Sequence, residues 1–180
     1  MNFEQYKRWL EKKANREERG ALEVVKAILK HHNSDGTWKE FFFPRTVFKG
    51  MEFDLIIFLA KKKKKLEEAD YFDRVIGVEF KETDVKRVIK QAILRKEYVD
   101  YQYIATRDVY MDYPDVFLLT LFGIGWVVWG KGFAKIVVPA RMRDISYRVD
   151  HLVNELINVK LKGVIEDAIQ KKLTEFLKKS

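Results

Sequence analysis

Two short runs, MEFDLIIFLA (51–60) and RVIGVEFK (74–81), followed at once by DVKRVIKQAILRKEY (84–98), constrain this chain more than any other feature. Both runs are apolar enough to be strands entering a core, yet each carries charge within it: Asp54 in the first, Glu79 and Lys81 in the second. A core strand can use Val or Ile at such positions without electrostatic cost. A buried, unpaired carboxylate is expensive, so it needs a partner, a metal or a chemical task.

Side chains on a strand alternate between faces. Met51, Phe53, Leu55 and Ile57 therefore share one face of the first run, and Glu52, Asp54, Ile56 and Phe58 the other. In the second run Ile76, Val78 and Phe80 oppose Val75, Gly77, Glu79 and Lys81. Paired in suitable register, the two strands bring Asp54, Glu79 and Lys81 onto one face, with Gly77 leaving open space beside the carboxylate. Thr83 is the expected N-cap of the helix that follows, with Asp84 in its first turn. That helix spans about 84–97, and Val85, Val88, Ile89, Ala92 and Ile93 form its buried stripe. Gln91 and Arg95, one turn apart, border the stripe.

The rest of the chain supplies the frame. Residues 3–32 read as helix, with Gly20 marking where it would break, and NSDG (33–36) as a turn. TWKEFFFPR reads as a strand stopped by Pro44, and the next strand as running from Val47 to Ala60. DYQYIAT is a further strand, YPDVFLLTLF a helix, and GWVVWGKGFAKIVV a hairpin turning at Gly130–Gly132. Residues 144–178 read as two amphipathic helices separated near Gly163, with Leu152, Leu156, Ile165, Ile169, Leu173 and Phe176 as apolar stripes. Strand–helix–strand after a meander predicts an α/β layer fold with a mixed sheet. The expected organisation is a core domain over 1–140 and a helical extension over 141–180, packed on the core or forming a dimer contact.

Composition narrows the classes. The 180 residues are 47% hydrophobic, enough for a core without covalent staples. Absence of cysteine excludes disulfides and thiolate zinc sites, and His31, His32 and His151 have no zinc-site spacing. The formal net charge of +8 is compatible with a polyanionic partner. Charged residues at 34%, with few Asn and Gln, give the surface style of thermophilic proteins. MNFEQYKRWLEKK lacks the apolar stretch of a secretory signal, and VFLLTLFGIGWVVWG is too short for a membrane span and broken by glycines. A soluble, intracellular (cytoplasmic) protein is expected.

Two adjacent carboxylates retain a proton unless a cation neutralises them. A hard divalent ion such as Mg²⁺ does so while keeping waters and accepting phosphate oxygens. A neighbouring lysine orients the attacking water or offsets charge building on phosphate. The fitting chemistry is metal-assisted phosphodiester hydrolysis.

Asp54, the EFK at 79–81 and a helix carrying Gln91 together resemble the PD-(D/E)XK nuclease superfamily, the restriction-endonuclease-like fold. The similarity extends over about residues 15–140. Its nearest flavour is that of archaeal Holliday-junction resolvases and recombination-type exonuclease domains. The resemblance implies an αβββαβ core with a mixed central sheet, joined here by a hairpin and C-terminal helices. It implies Asp54 and Glu79 as metal ligands, Lys81 as the catalytic lysine and Gln91 as its support, with Mg²⁺ as cofactor and Mn²⁺ able to substitute. The partner implied is DNA, with RNA left open, and a homodimer suits cutting of two strands or of a four-way junction. Phe53 stands where the motif's name has proline. Of the glutamates near the first helix, Glu18 is preferred as a further ligand, with Glu17 and Glu23 as the other candidates. Lys61, Lys62, Lys63, Lys64, Lys65 and Arg95 are the expected nucleic-acid contacts, the lysine run contributing affinity without sequence information. Lys86, Arg87 and Lys90 read equally as a solvated face, and the tyrosines of YVDYQYIATRDVYMDY as packing rather than base stacking. The alternatives are a nucleic-acid-binding module without cleavage on the same fold, and an interaction protein with a basic surface.

Overall fold

Asn2 opens the first helix by reciprocal capping: its side chain accepts from the Gln5 N–H, and the Gln5 side chain accepts from the Asn2 N–H. The computed structural model describes residues 1–62, 73–107 and 110–143. Helix α1 (Phe3–Lys13) and helix α2 (Ala21–His32) are separate, with residues 14–20 as an irregular connection rather than the single helix expected over 3–32. Gly20 directly precedes α2 and lies against an aromatic ring: a Cβ there would be 2.2 Å from Trp129 Cδ2.

Strand β1 (Trp38–Phe48) continues through Pro44 instead of stopping there. Among the described strands it is an edge with one neighbour, and an edge tolerates a residue without an N–H. Lys49 and Gly50, with φ of 48° and 74°, turn the chain directly into β2 (Met51–Lys61). Positive φ at both positions suits the right-handed twist of a two-residue hairpin. The second strand therefore starts at Met51, not Val47.

Strand β3 (Arg74–Lys81) leads into α3 (Val85–Arg95), a short 3₁₀ turn (Lys96–Tyr98) and β4 (Tyr101–Arg107). Asp84 rather than Thr83 caps α3, because its carboxylate accepts from the Arg87 N–H at 3.0 Å. Helix α4 (Tyr113–Phe122) follows, then the hairpin of β5 (Gly125–Gly130) and β6 (Phe133–Val138), turning where expected, at Lys131–Gly132.

The six described strands form one sheet in chain order. Pairs β1–β2, β2–β3 and β5–β6 are antiparallel, and β3–β4 and β4–β5 are parallel. Helices cover both faces. On one, Tyr6, Val24, Val25 and Ile28 of α1 and α2 pack on Leu55, Ile57, Val78, Phe80 and Tyr103. On the other, Val88, Ile89 and Ala92 of α3 and Leu119 of α4 pack on Ile104 and Trp126. Each fully buried large aliphatic or aromatic side chain contributes about 1.5–3 kcal/mol, so these two layers hold the sheet flat against both helix pairs. The fold is α/β with a mixed sheet. Trp126 and Trp129 belong to the core, the former donating to Thr106 Oγ1 at 2.7 Å.

The chain divides into two compact units, Met1–Val149 and Asp150–Ser180, and the described residues lie in the first. The expected boundary after residue 140 falls just inside them: the Arg141 N–H donates to the Gly123 carbonyl, tying this segment to the core. The helices expected over 144–178, the stripes on them and His151 lie outside the described residues. No helix among the described residues is long and apolar enough to cross a membrane.

Candidate functional site

Antiparallel pairing of β2 with β3 sets Leu55 opposite Val78 and Ile56 opposite Gly77. Continued one step, this register sets Asp54 beside Glu79. Asp54 Oδ2 accepts from the Phe80 N–H at 2.8 Å, so the carboxylate bridges the two strands where their backbone ladder ends. Burial raises the Asp54 pKa against that hydrogen bond and the nearby Lys81 and Arg95 charges.

Glu79 is fully buried, and neither of its oxygens has a hydrogen-bond donor among the described residues. Burial first, and the Asp54 charge second, push its carboxyl well above the usual range. Arg95 reaches it from α3: Nε lies 3.3 Å from Oε1, close enough for charge attraction without the alignment of a hydrogen bond. The same guanidinium lies over the Phe53 ring, 5.8 Å from its centroid. Arg95 is thus a buried counter-ion of the carboxylate rather than an exposed contact. Gln91 Oε1, also on α3, is buried without a hydrogen-bond donor among the described residues.

Lys81 closes β3, and its Nζ lies 2.5 Å from Glu17 Oε2 in the α1–α2 connection. Glu18, the preferred further ligand, is buried but committed elsewhere. Arg45 Nη2 donates to its Oε2 at 2.6 Å, and the Asn15 N–H donates to the same oxygen at 2.8 Å. Glu23 lies on α2 in an ion pair with Lys26.

Gly77 does not leave open space. The Gln102 side chain, from the facing position of β4, fills it, and a Cβ on Gly77 would meet Gln102 Oε1 at 2.5 Å. Glycine is required there so that the amide can lie flat on the sheet. Gln102 Oε1 is itself without a donor among the described residues, so this face carries unsatisfied acceptors from Glu79, Gln91 and Gln102.

Asp54, Glu79, Lys81 and Arg95 are thus brought to one region, and Gln91 lies one helical turn from Arg95 on α3. The described start of the lysine run is not brought there. Lys61 and Lys62 are exposed at the opposite end of β2, seven strand positions from Asp54, or roughly 23 Å at a strand's rise. Lys63, Lys64 and Lys65 lie outside the described residues. Reasoning from the sequence missed Arg16, Glu82 and Arg107, which join in ion pairs around the end of β3. The one signal for them is position: Glu82 directly follows Lys81, and Arg107 closes the next parallel strand.

Buried acceptors without donors are what a cation needs, and Mg²⁺ is held by one or two carboxylates with water and phosphate completing its shell. The residues present fit it through Asp54 and Glu79. Among the described residues no three His, Cys, Asp or Glu side chains group to hold an ion, so the protein would supply this pair alone.

Fold and site together define a mixed α/β protein with paired carboxylates and a lysine where its sheet turns from antiparallel to parallel. No protein-family model matches the chain, and no curated protein matches it. Among solved structures it is similar to the SPO1766 protein of unknown function from Silicibacter pomeroyi. The two share 16% identity over 81% of this chain and 92% of that one, with a TM-score of 0.48.

Proposed function

We propose that this chain is a metal-dependent nuclease hydrolysing phosphodiester bonds in DNA, acting inside the cell and as a homodimer. The observation that carries the reading is Glu79: a fully buried carboxylate whose two oxygens have no hydrogen-bond donor among the described residues, beside Asp54, on a strand that ends in Lys81. The element order α2–β1–β2–β3–α3–β4 is also the one that the resemblance to PD-(D/E)XK nucleases implies.

Asp54 and Glu79 would hold Mg²⁺, or Mn²⁺ in its place, which when bound polarises the phosphodiester and acidifies a water. Asp54 is fixed for that role by the Phe80 N–H, which leaves its other oxygen to turn outward. Glu79 is fixed by its strand and by Arg95, which offsets carboxylate charge in a dry setting. Lys81 offers an ammonium at the mouth of the pair, able to orient water or meet charge building on phosphate. Gln91 brings an amide to the same face from α3.

The test is incubation with single-stranded, duplex and four-way-junction DNA, with Mg²⁺, Mn²⁺ or EDTA. Wild-type protein is expected to cut at least one of them in a metal-dependent way. Asp54→Ala and Glu79→Gln should each lose more than about 100-fold in rate, beyond the cost of an outer partner of a metal ligand. Asp54→Ala should keep a cooperative thermal unfolding transition. A variant that cuts as fast as wild type would remove that residue from the site.

A second reading has one observation in its favour. Arg95 already gives Glu79 a cation and Glu17 already gives Lys81 an anion, a charge network closed on itself. A nucleic-acid-binding module without cleavage predicts salt-sensitive binding to these DNAs and no cutting under any metal.

A further inference from the structure

Three consecutive side chains of the α1–α2 connection grip three different partners. Arg16 pairs with Glu82 Oε2 just beyond β3, Glu17 with Lys81 at its end, and Glu18 with Arg45 on β1. From the other side Arg107, at the end of β4, holds Glu82 Oε1 at 2.7 Å.

The connection has a firm root and a loose tip. Glu18 is 4% exposed, closes a reciprocal turn with Asn15 and is gripped by Arg45, itself bound to the Lys13 carbonyl. Arg16 and Glu17 hold by ion pairs with one open partner each: the Arg16 side chain is 74% exposed and that of Glu17 38%, against 11% for Glu82 and 13% for Lys81. Water and salt reach the open partner of each pair and weaken it. Glu17 can therefore leave Lys81 without disturbing the root.

What the tip covers is a cluster of cations. Lys81 and Arg107 sit at the C-terminal ends of adjacent parallel strands, the end of an open α/β sheet where ligands settle. Arg16 completes the cluster from above. Two carboxylates, Glu17 and Glu82, occupy three cations, and a carboxylate presents two oxygens much as a phosphodiester does.

We propose that Arg16, Lys81 and Arg107 form a seat for a nucleic-acid backbone, and that Glu17 is its built-in competitor, displaced from Lys81 when a phosphate arrives. The substrate class rests on the nuclease reading; the covering of Lys81 by Glu17 does not. Lys81 is then kept neutralised in the free protein and handed to the substrate on binding. Glu82 stays in place and aligns the two guanidiniums.

The test compares wild type with Glu17→Gln, Arg107→Gln and Glu23→Gln, the last removing the same charge from the exposed pair with Lys26 on α2. Binding of short labelled single-stranded and duplex DNA is measured in EDTA over a range of salt. Glu17→Gln should tighten binding about threefold to fivefold, the size of one partly exposed ion pair no longer competing, and Glu23→Gln by less than about twofold. Arg107→Gln should weaken binding and reduce the logarithmic salt slope by about 0.9. Equal shifts for Glu17→Gln and Glu23→Gln, or an unchanged slope for Arg107→Gln, overturn the seat. Without any nucleic acid, acetylation of Lys81 by an activated ester, mapped by mass spectrometry, should be faster in Glu17→Gln than in wild type. An unchanged rate overturns the latch whatever DNA does. DNA binding that follows this pattern with no cleavage by wild type supports the seat and removes the nuclease reading. Cleavage without an effect of Glu17→Gln does the reverse.

Discussion

His32 ends α2 with its Nε2 2.8 Å from the Tyr103 hydroxyl and its ring tilted on Tyr101, while Arg74 donates to its carbonyl. Burial, aided by His31 and Arg74, lowers its pKa from 6.5 to about 4. The fold therefore holds the neutral ring, and the unfolded chain takes a proton first as pH falls. Its contribution is complete above about pH 6.5 and is lost progressively down to about pH 4, on the order of 3 kcal/mol in all. We expect thermal stability to fall over that window, and to fall less steeply in His32→Gln, when both are followed by circular dichroism. Glu79 is buried as deeply with no comparable partner, and that contrast separates a packed ionisable group from a poised one. Its place beside Lys81 was legible because a strand's period of two admits no other arrangement. Its pairing with Arg95, and that of Glu18 with Arg45, were not, since they depend on how a long side chain folds back and where a connection runs.

At the scale of elements, α2 meets the sheet through the narrow contact of Gly20 with Trp129. Trp129 is 4% exposed and fixed in the main core, so it cannot retreat from an added methyl. Gly20→Ala should cost about 2 kcal/mol, in the range of overpacked cores, and Trp129→Phe should recover part of that loss in the double variant. Urea unfolding of the two single variants and the double variant measures both. The glycine was visible in the sequence as a helix break, but its cause was not, since the ring arrives from more than a hundred residues away. Pro44 shows the reverse: a strong local signal to stop a strand, overridden because β1 is an edge among the described strands. The order of the crossover from β3 through α3 to β4 was readable, because alternation and a helical stripe agree there, although the cap is Asp84 and not Thr83.

Across the whole molecule, a net charge of +8 opposes self-association, so two copies would meet where charge is sparse. Helix α4 offers that place. Tyr113, Phe117 and Leu121 recur at helical spacing and are all more than half exposed, and Asp115 is the one charge on the helix. We expect wild-type protein to scatter light as a dimer at micromolar concentration and Phe117→Glu as a monomer. Equal masses would place self-association elsewhere or nowhere. The sheet has a further consequence, in time rather than space. Its strands stand in the order in which they are synthesised, so each has a finished neighbour to join as it leaves the ribosome. Pairing that runs between chain neighbours closes small loops and favours fast assembly. The carboxylates of β2 and β3 would meet before β5 exists, and the growing chain would hold its most costly charges together early, while Arg95 was still arriving to meet them.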